Sequence, residues 1–352
     1  MRAQPSRDPA PPPSRGRFGL GLLLVGAVLA VGPLPLPLAG ADPTPPTPST
    51  GRRPVPVVAL AYSPDGKALV SNGDRQLDIR APGTGVIQRS VVCDLPKLTG
   101  LAFAPGGDRL AVAGGEPGVA GEVRILTWPE GRLLQRLPGA ADLAQAVAFD
   151  ASGQQLAWAA ADHSAQLWRC PPGQEAVAVC RLTGHAGPVL AVGFLPSGQA
   201  LVTAGADRSL KVWATDDGRL LRSLNSHQEA LYAVAFRPVG ATGSPQPVTC
   251  ATASEDRTVR IWQPEVGRLV RTVRGAAGAI LTVVWSPDGQ SLFTAGTEGK
   301  IRRVDAGSDT IQAVWQAHDD WIQALAVSPD GRWLASGDWA GRVQVRDPQG
   351  SP

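Results

Sequence analysis

Short apolar runs, cut by turn residues at near-regular spacing, organise most of this chain. Residues 185–224 show the unit. Val189 to Phe194 is an apolar run rich in β-formers, and Pro196-Ser-Gly198 turns the chain. Ala200 to Ala204 follows, then the turn Gly205-Ala-Asp207-Arg. Leu210-Lys-Val-Trp213 alternates apolar and polar, Asp216-Asp-Gly218 turns again, and Arg219 to Leu224 is the fourth run. Alternation of this kind, bounded by Gly, Pro, Asp and Ser, predicts half-buried strands, and tight turns make neighbouring strands antiparallel.

The unit recurs. An apolar residue, a turn, and a glycine four residues on appear seven times: Tyr62 to Gly66, Phe103 to Gly107, Phe149 to Gly153, Phe194 to Gly198, Phe236 to Gly240, Trp285 to Gly289 and Val327 to Gly331. The glycines are 41, 46, 45, 42, 49 and 42 residues apart. A period in the forties means one supersecondary unit copied along the chain. One such sheet cannot cover both of its faces, so neighbouring sheets must pack on it. The expected fold is all-β, a seven-bladed β-propeller of four-stranded antiparallel blades over residues 57–347. Residues 240–247 form an inserted loop in the fifth unit.

The fourth and fifth units carry the sets His185, Thr203, Asp207, Trp213 and His227, Thr252, Asp256, Trp262. With the run Asp-Arg-Ser-Leu-Lys-Val-Trp they resemble the WD40 repeats. In that family the four side chains hydrogen-bond in series and brace a blade, which suits a buried aspartate in need of donors. The other units keep fragments. The third has Asp162 and Trp168 with Ala140 at the histidine position; the sixth has Thr294 and Glu298 with Val304 for tryptophan. The seventh has His318 and Ser336 but Ala340 and Arg346, the first Asp74 and Arg80, the second Ala120 and Leu126. The resemblance implies that units four and five are the best braced. The chain ends soon after Val343-Gln-Val-Arg346, so the resemblance also implies a closing strand from the N-terminus, near Ser49 to Val55, kept short by Pro54 and Pro56.

Ahead of the repeats, Arg15 and Arg17 precede the 14-residue apolar run Phe18 to Val31, and Ala39-Gly40-Ala41 offers small residues for cleavage. This is the pattern of a secretory signal over residues 1–41. Cleavage predicts an exported, periplasmic or extracellular chain. Retention of residues 18–38 would tether it to a membrane, although the run is short for a span and Pro33, Pro35 and Pro37 interrupt its extension. Residues 42–56 are a Pro-rich, semi-rigid spacer. The formal charge of +3 belongs to residues 1–41, where four arginines face one aspartate; the remainder has 29 basic and 29 acidic side chains. No basic footprint for nucleic acid remains. Cys93, Cys170, Cys180 and Cys250 lack a CxxC pair and are expected unpaired in the core or at its rim.

Catalytic chemistry is sparse. Three of the four histidines, His185, His227 and His318, fall at equivalent repeat positions, and no nucleophile–base set, P-loop or HExxH motif is present. No cofactor or metal is expected, so function is expected in binding a protein or peptide. The other reading, a ligand- or metal-binding or enzymatic propeller using its central channel, stays open on fold alone. The resemblance points to the narrower face, reached by two positions at the start of each innermost strand and by the residue before the turn aspartate. On this chain these are Lys97, Thr99, Leu143, Gln145, Leu190, Tyr232, Leu281, Trp321 and Gln323, together with Glu255, Thr297 and Trp339. The exposed-aromatic chemistry of an interface anchor centres on Trp321 and Trp339. Trp128, Trp158, Trp315 and Trp333 are expected to pack.

Overall fold

Six sheets of four antiparallel strands and one of three follow one another in the computed structural model, which describes residues 54–238 and 247–348. Each sheet takes its strands in chain order from the inside outward. Inner strands touch the inner strands of both neighbouring sheets, and the first sheet meets the last, closing a seven-bladed propeller. The fourth blade, Val189–Phe194, Ala200–Gly205, Leu210–Ala214 and Leu220–Leu224, lies within a residue of the boundaries read from the sequence. Residues 1–41, read as a secretory signal, the spacer and most of the expected closing strand up to Arg53, and residues 239–246, which include most of the inserted loop, lie outside the described residues.

The recurring turn has a local cause. Ser63 Oγ donates to Asp65 and accepts from the Ala68 amide, while Asp65 accepts from the Lys67 amide. Gly66 completes the turn at φ +70°, where only glycine is unstrained. Ser286 with Asp288 and Ser328 with Asp330 repeat the arrangement.

Seven apolar clusters fill the seven interfaces between blades. Between blades two and three, Leu156, Trp158 and Leu137 are buried with ten others. Where blade seven meets blade one, the buried members are four: Tyr62, Leu69, Ala326 and Ala335. Burial stabilises roughly in proportion to apolar area, which makes this seam the weakest of the interfaces among the described residues.

Polar clamps supplement the clusters. The buried Arg109 donates from Nη1 to the Cys170 carbonyl at 2.8 Å and from Nη2 to the Gly153 carbonyl at 2.7 Å, across the interface from blade two to blade three. Its guanidinium also sits 5.4 Å from the Phe149 ring centroid. Arg222 reaches the Glu265 carbonyl from blade four to blade five, and Arg271 the Ala306 carbonyl from blade five to blade six. Arg109→Met should lower stability by about 2–3 kcal/mol, because two carbonyls lose charged donors; urea unfolding of the variant beside wild type measures it. All four cysteines are unpaired, three of them buried and Cys180 half-buried.

The seventh blade has only Ile322–Val327, Leu334–Asp338 and Val343–Arg346 among the described residues. The chain entering blade one runs beside it. The Val57 amide donates to the Asp338 carbonyl at 3.0 Å. The buried Asn72 then takes over: its Oδ1 accepts from the Val58 and Ala59 amides, and its Nδ2 donates to the Pro56 carbonyl. Trp333 lies against Gly83, and Val343 and Val345 lie against Gly85.

Candidate functional site

In every blade the start of the inner strand and the turn between the second and third strands share one end of the sheet, as antiparallel order requires. Two sets of side chains gather there: the brace and the exposed face.

The brace is complete in blades four and five. Trp262 Nε1 donates to Thr252 Oγ1 at 2.9 Å, the Thr252 hydroxyl to His227 Nε2 at 2.7 Å, and His227 Nδ1 to Asp256 at 2.7 Å. Asp256 also accepts from the Gln228 amide and the Thr258 hydroxyl. Blade four runs the same series, with 2.8 Å from Trp213 to Thr203, 2.7 Å from Thr203 to His185 and 3.0 Å from His185 to Asp207. Each member is donor to the next, so no buried polar group is left over.

The other blades replace missing members. In blade seven, Asp338 takes the place that spacing assigns to Ala340: His318 Nδ1 lies 2.9 Å from Asp338 and His318 Nε2 lies 2.8 Å from Ser336. In blade three Asp162 accepts from the Ala141 amide and from Arg181, which supplies a donor where histidine is lacking. In blade six Arg302 holds Glu298 at 2.6 Å. In blade one Arg80 occupies the tryptophan position, and its Nε donates to Ser71 Oγ at 2.8 Å, as the indoles do to threonine. An arginine at that position, and an aspartate two residues after the hydroxyl side chain rather than four, are the signals that would have found these.

Burial acts on Asp256 to push its carboxyl up, but hydrogen bonds from Thr258, His227 and the Gln228 amide outweigh it and hold the pKa at about 2. The same balance places Asp207 below the ordinary range. For His227 and His318 burial dominates over the partner aspartates and lowers the pKa. All four groups therefore bind protons less readily folded than unfolded, and the stability they contribute is present at neutral pH. It is lost as pH falls, first below the ordinary histidine value of about 6.5 and then from about 4 towards 2. Thermal midpoints should drop steadily from pH 7 to pH 3; a flat profile would contradict the assignment.

The exposed face begins at a repeated irregularity. The register between inner and second strands slips once near the start of six blades, leaving Thr99, Gln145, Leu190, Tyr232, Leu281 and Gln323 outside the ladder. A bulge breaks the alternation of the strand and frees one side chain from it. Thr99 turns its hydroxyl to the Ala144 carbonyl, and Leu143 is buried rather than part of the face. Lys97, Gln145, Leu190, Leu281, Gln323 and Thr297 are half-buried. Tyr232, half-buried, donates to the exposed Glu255 at 3.2 Å.

Trp321 and Trp339 come together in blade seven. They are 49 % and 37 % exposed, with ring centroids 6.3 Å apart at 51°. The Trp339 amide donates to the Trp321 carbonyl at 2.9 Å, so the backbone fixes their spacing. The Tyr232–Glu255 pair lies two blades away, with Leu281 and Thr297 in the blade between. Among the described residues, no three His, Cys, Asp or Glu side chains gather as metal ligands.

Residues 177–214, 218–263, 267–305 and 309–347 match the family model described as WD domain, G-beta repeat. Each match begins on or within two residues of the outer strand of one blade and ends at the third strand of the next. No curated protein matches the chain.

Proposed function

The chain is a WD40-repeat propeller, and from that premise we propose that it is a non-catalytic scaffold, exported from the cell, that docks a protein or peptide on the face carrying Trp321 and Trp339. Propellers of this family are typically protein-interaction scaffolds. The observation that carries the location is the indole pair itself: two large apolar side chains left in solvent and held at fixed spacing. Aromatic anchors of this kind bury much area at little entropic cost and dominate interface energetics. Leu281, Thr297 and Gln323 extend the face, and Tyr232 with Glu255 forms its far edge.

Replacing both tryptophans with alanine should reduce partner recovery from a native extract at least tenfold, as loss of hot-spot residues costs about 2 kcal/mol or more. Unchanged recovery would move the docking surface elsewhere. Export rests on the charged, apolar and small-residue segments of positions 1–41. N-terminal sequencing of the mature chain tests it: a start at Asp42 means release, and an intact residue 18–38 segment means a membrane tether.

A further inference from the structure

The surroundings of the two tryptophans narrow the chemistry of the partner. We propose that the pair receives an arginine side chain presented by an extended segment of a partner protein, an inference that rests on the docking face described above. The electron-rich face of an indole attracts a cation held within about 6 Å of its centroid, and tryptophan is the best of the aromatic residues at this. With centroids 6.3 Å apart, one cation can satisfy that distance for both rings. The pair is preorganised by the Trp339–Trp321 backbone bond, so little ordering is needed on binding.

Charge agrees. The two turns that carry the pair, residues 317–321 and 338–342, hold Asp319, Asp320 and Asp338 against one basic side chain, Arg342. Asp338 is committed to His318 in the interior. Asp320 Oδ1 accepts from the Trp321 amide, which holds its carboxylate at the Trp321 backbone. Asp319 is 90 % exposed and meets Arg342, itself 62 % exposed, at 3.3 Å. An exposed ion pair of this kind contributes little and yields to competition. It also places a guanidinium of this chain on the carboxylate an incoming arginine would use. Arginine suits the site better than lysine, because its planar guanidinium can lie on an indole while its fork of donors reaches carboxylate oxygens.

The probes are hexa-arginine and hexa-citrulline, the second matching the first in shape without its charge. Binding is read from the indole NH resonances of Trp321 and Trp339 in ¹⁵N-labelled protein, assigned with Trp321→Phe and Trp339→Phe. Hexa-arginine should shift both signals, and the citrulline peptide should bind about tenfold more weakly. Binding of hexa-arginine should fall by a similar factor in Asp319→Asn/Asp320→Asn, a change that keeps the Trp321 cap acceptor. Equal binding of the two peptides, or hexa-arginine that leaves both indoles unmoved, overturns the proposal. Partner capture from native extract separates the two levels. Capture lost in Trp321→Ala/Trp339→Ala and retained in the double asparagine variant keeps the docking face and rejects arginine recognition. Capture retained in both variants rejects both, and capture lost in both supports both.

Discussion

Replacing His318 with alanine should lower the unfolding free energy by about 3–5 kcal/mol, the usual cost of leaving a buried charge without its partner. The side chains of His318 and Asp338 are both fully buried, at 0 % exposure. With the imidazole gone, the Asp338 carboxylate keeps the Arg342 amide on Oδ1 but loses the Nδ1 donor on Oδ2 where water cannot replace it, and Ser336 loses its acceptor. The equivalent change at His185 should cost less, because Asp207 keeps 11 % of its side chain in solvent and retains the Ala186 amide and the Ser209 amide and hydroxyl as donors, against the Arg342 amide for Asp338. Urea unfolding of the two variants side by side measures the difference. Equal losses would mean that burial of the aspartate does not set the cost. Asp338→Asn in the His318→Ala background should restore part of the loss, since it removes the stranded charge.

Gly299→Val should be comparably damaging, at about 3–5 kcal/mol, from backbone strain and a steric clash together. Gly299 has φ +67°, a conformation that β-branched residues avoid. A Cβ there would also lie 2.2 Å from the His318 carbonyl oxygen, and the amides of Ala317 and His318 both donate to the Gly299 carbonyl. The equivalent turn position in blade four is Arg208, at φ +67°, so a side chain is accommodated there at the cost of strain alone. Arg208→Gly should therefore change stability by less than about 1 kcal/mol. Thermal unfolding should show a large drop in midpoint for the first variant and almost none for the second. A harmless Gly299→Val would show that the connection from blade six to blade seven can move aside.

Most of the fold is legible in the chain because a propeller repeats one local rule. The Pro-Asp-Gly turns, the alternation of Leu210 to Trp213 and the glycine spacing are properties of short stretches, and short stretches are what a sequence displays. The complete braces of blades four and five were legible for the same reason. Asp338 was not, because a side chain two positions earlier in the turn reaches the same histidine, and spacing alone assigns that role to Ala340. Arg80 and Arg181 were visible as residues, but their bonds to Ser71 and Asp162 depend on where blades one and three place them. The seam was the least legible part. Trp333 on Gly83 and Val345 on Gly85 join residues about 250 positions apart, and nothing local announces them. On the face, Leu143 was assigned by its place in the repeat, yet it is buried with blade three.

The family-model matches each start at an outer strand and finish three strands into the next blade, so the unit that is copied is not the unit that folds. Every copy is stitched into two sheets at once. Excising residues 177–214 would remove the outer strand of blade three and the three inner strands of blade four, and Leu220–Leu224 would then stand ready to complete blade three. Cutting the chain at a blade boundary instead would leave its neighbours whole but sever the covalent stitch between them. Gene-level duplication in this phase can therefore change the number of blades while giving each surviving sheet its full complement.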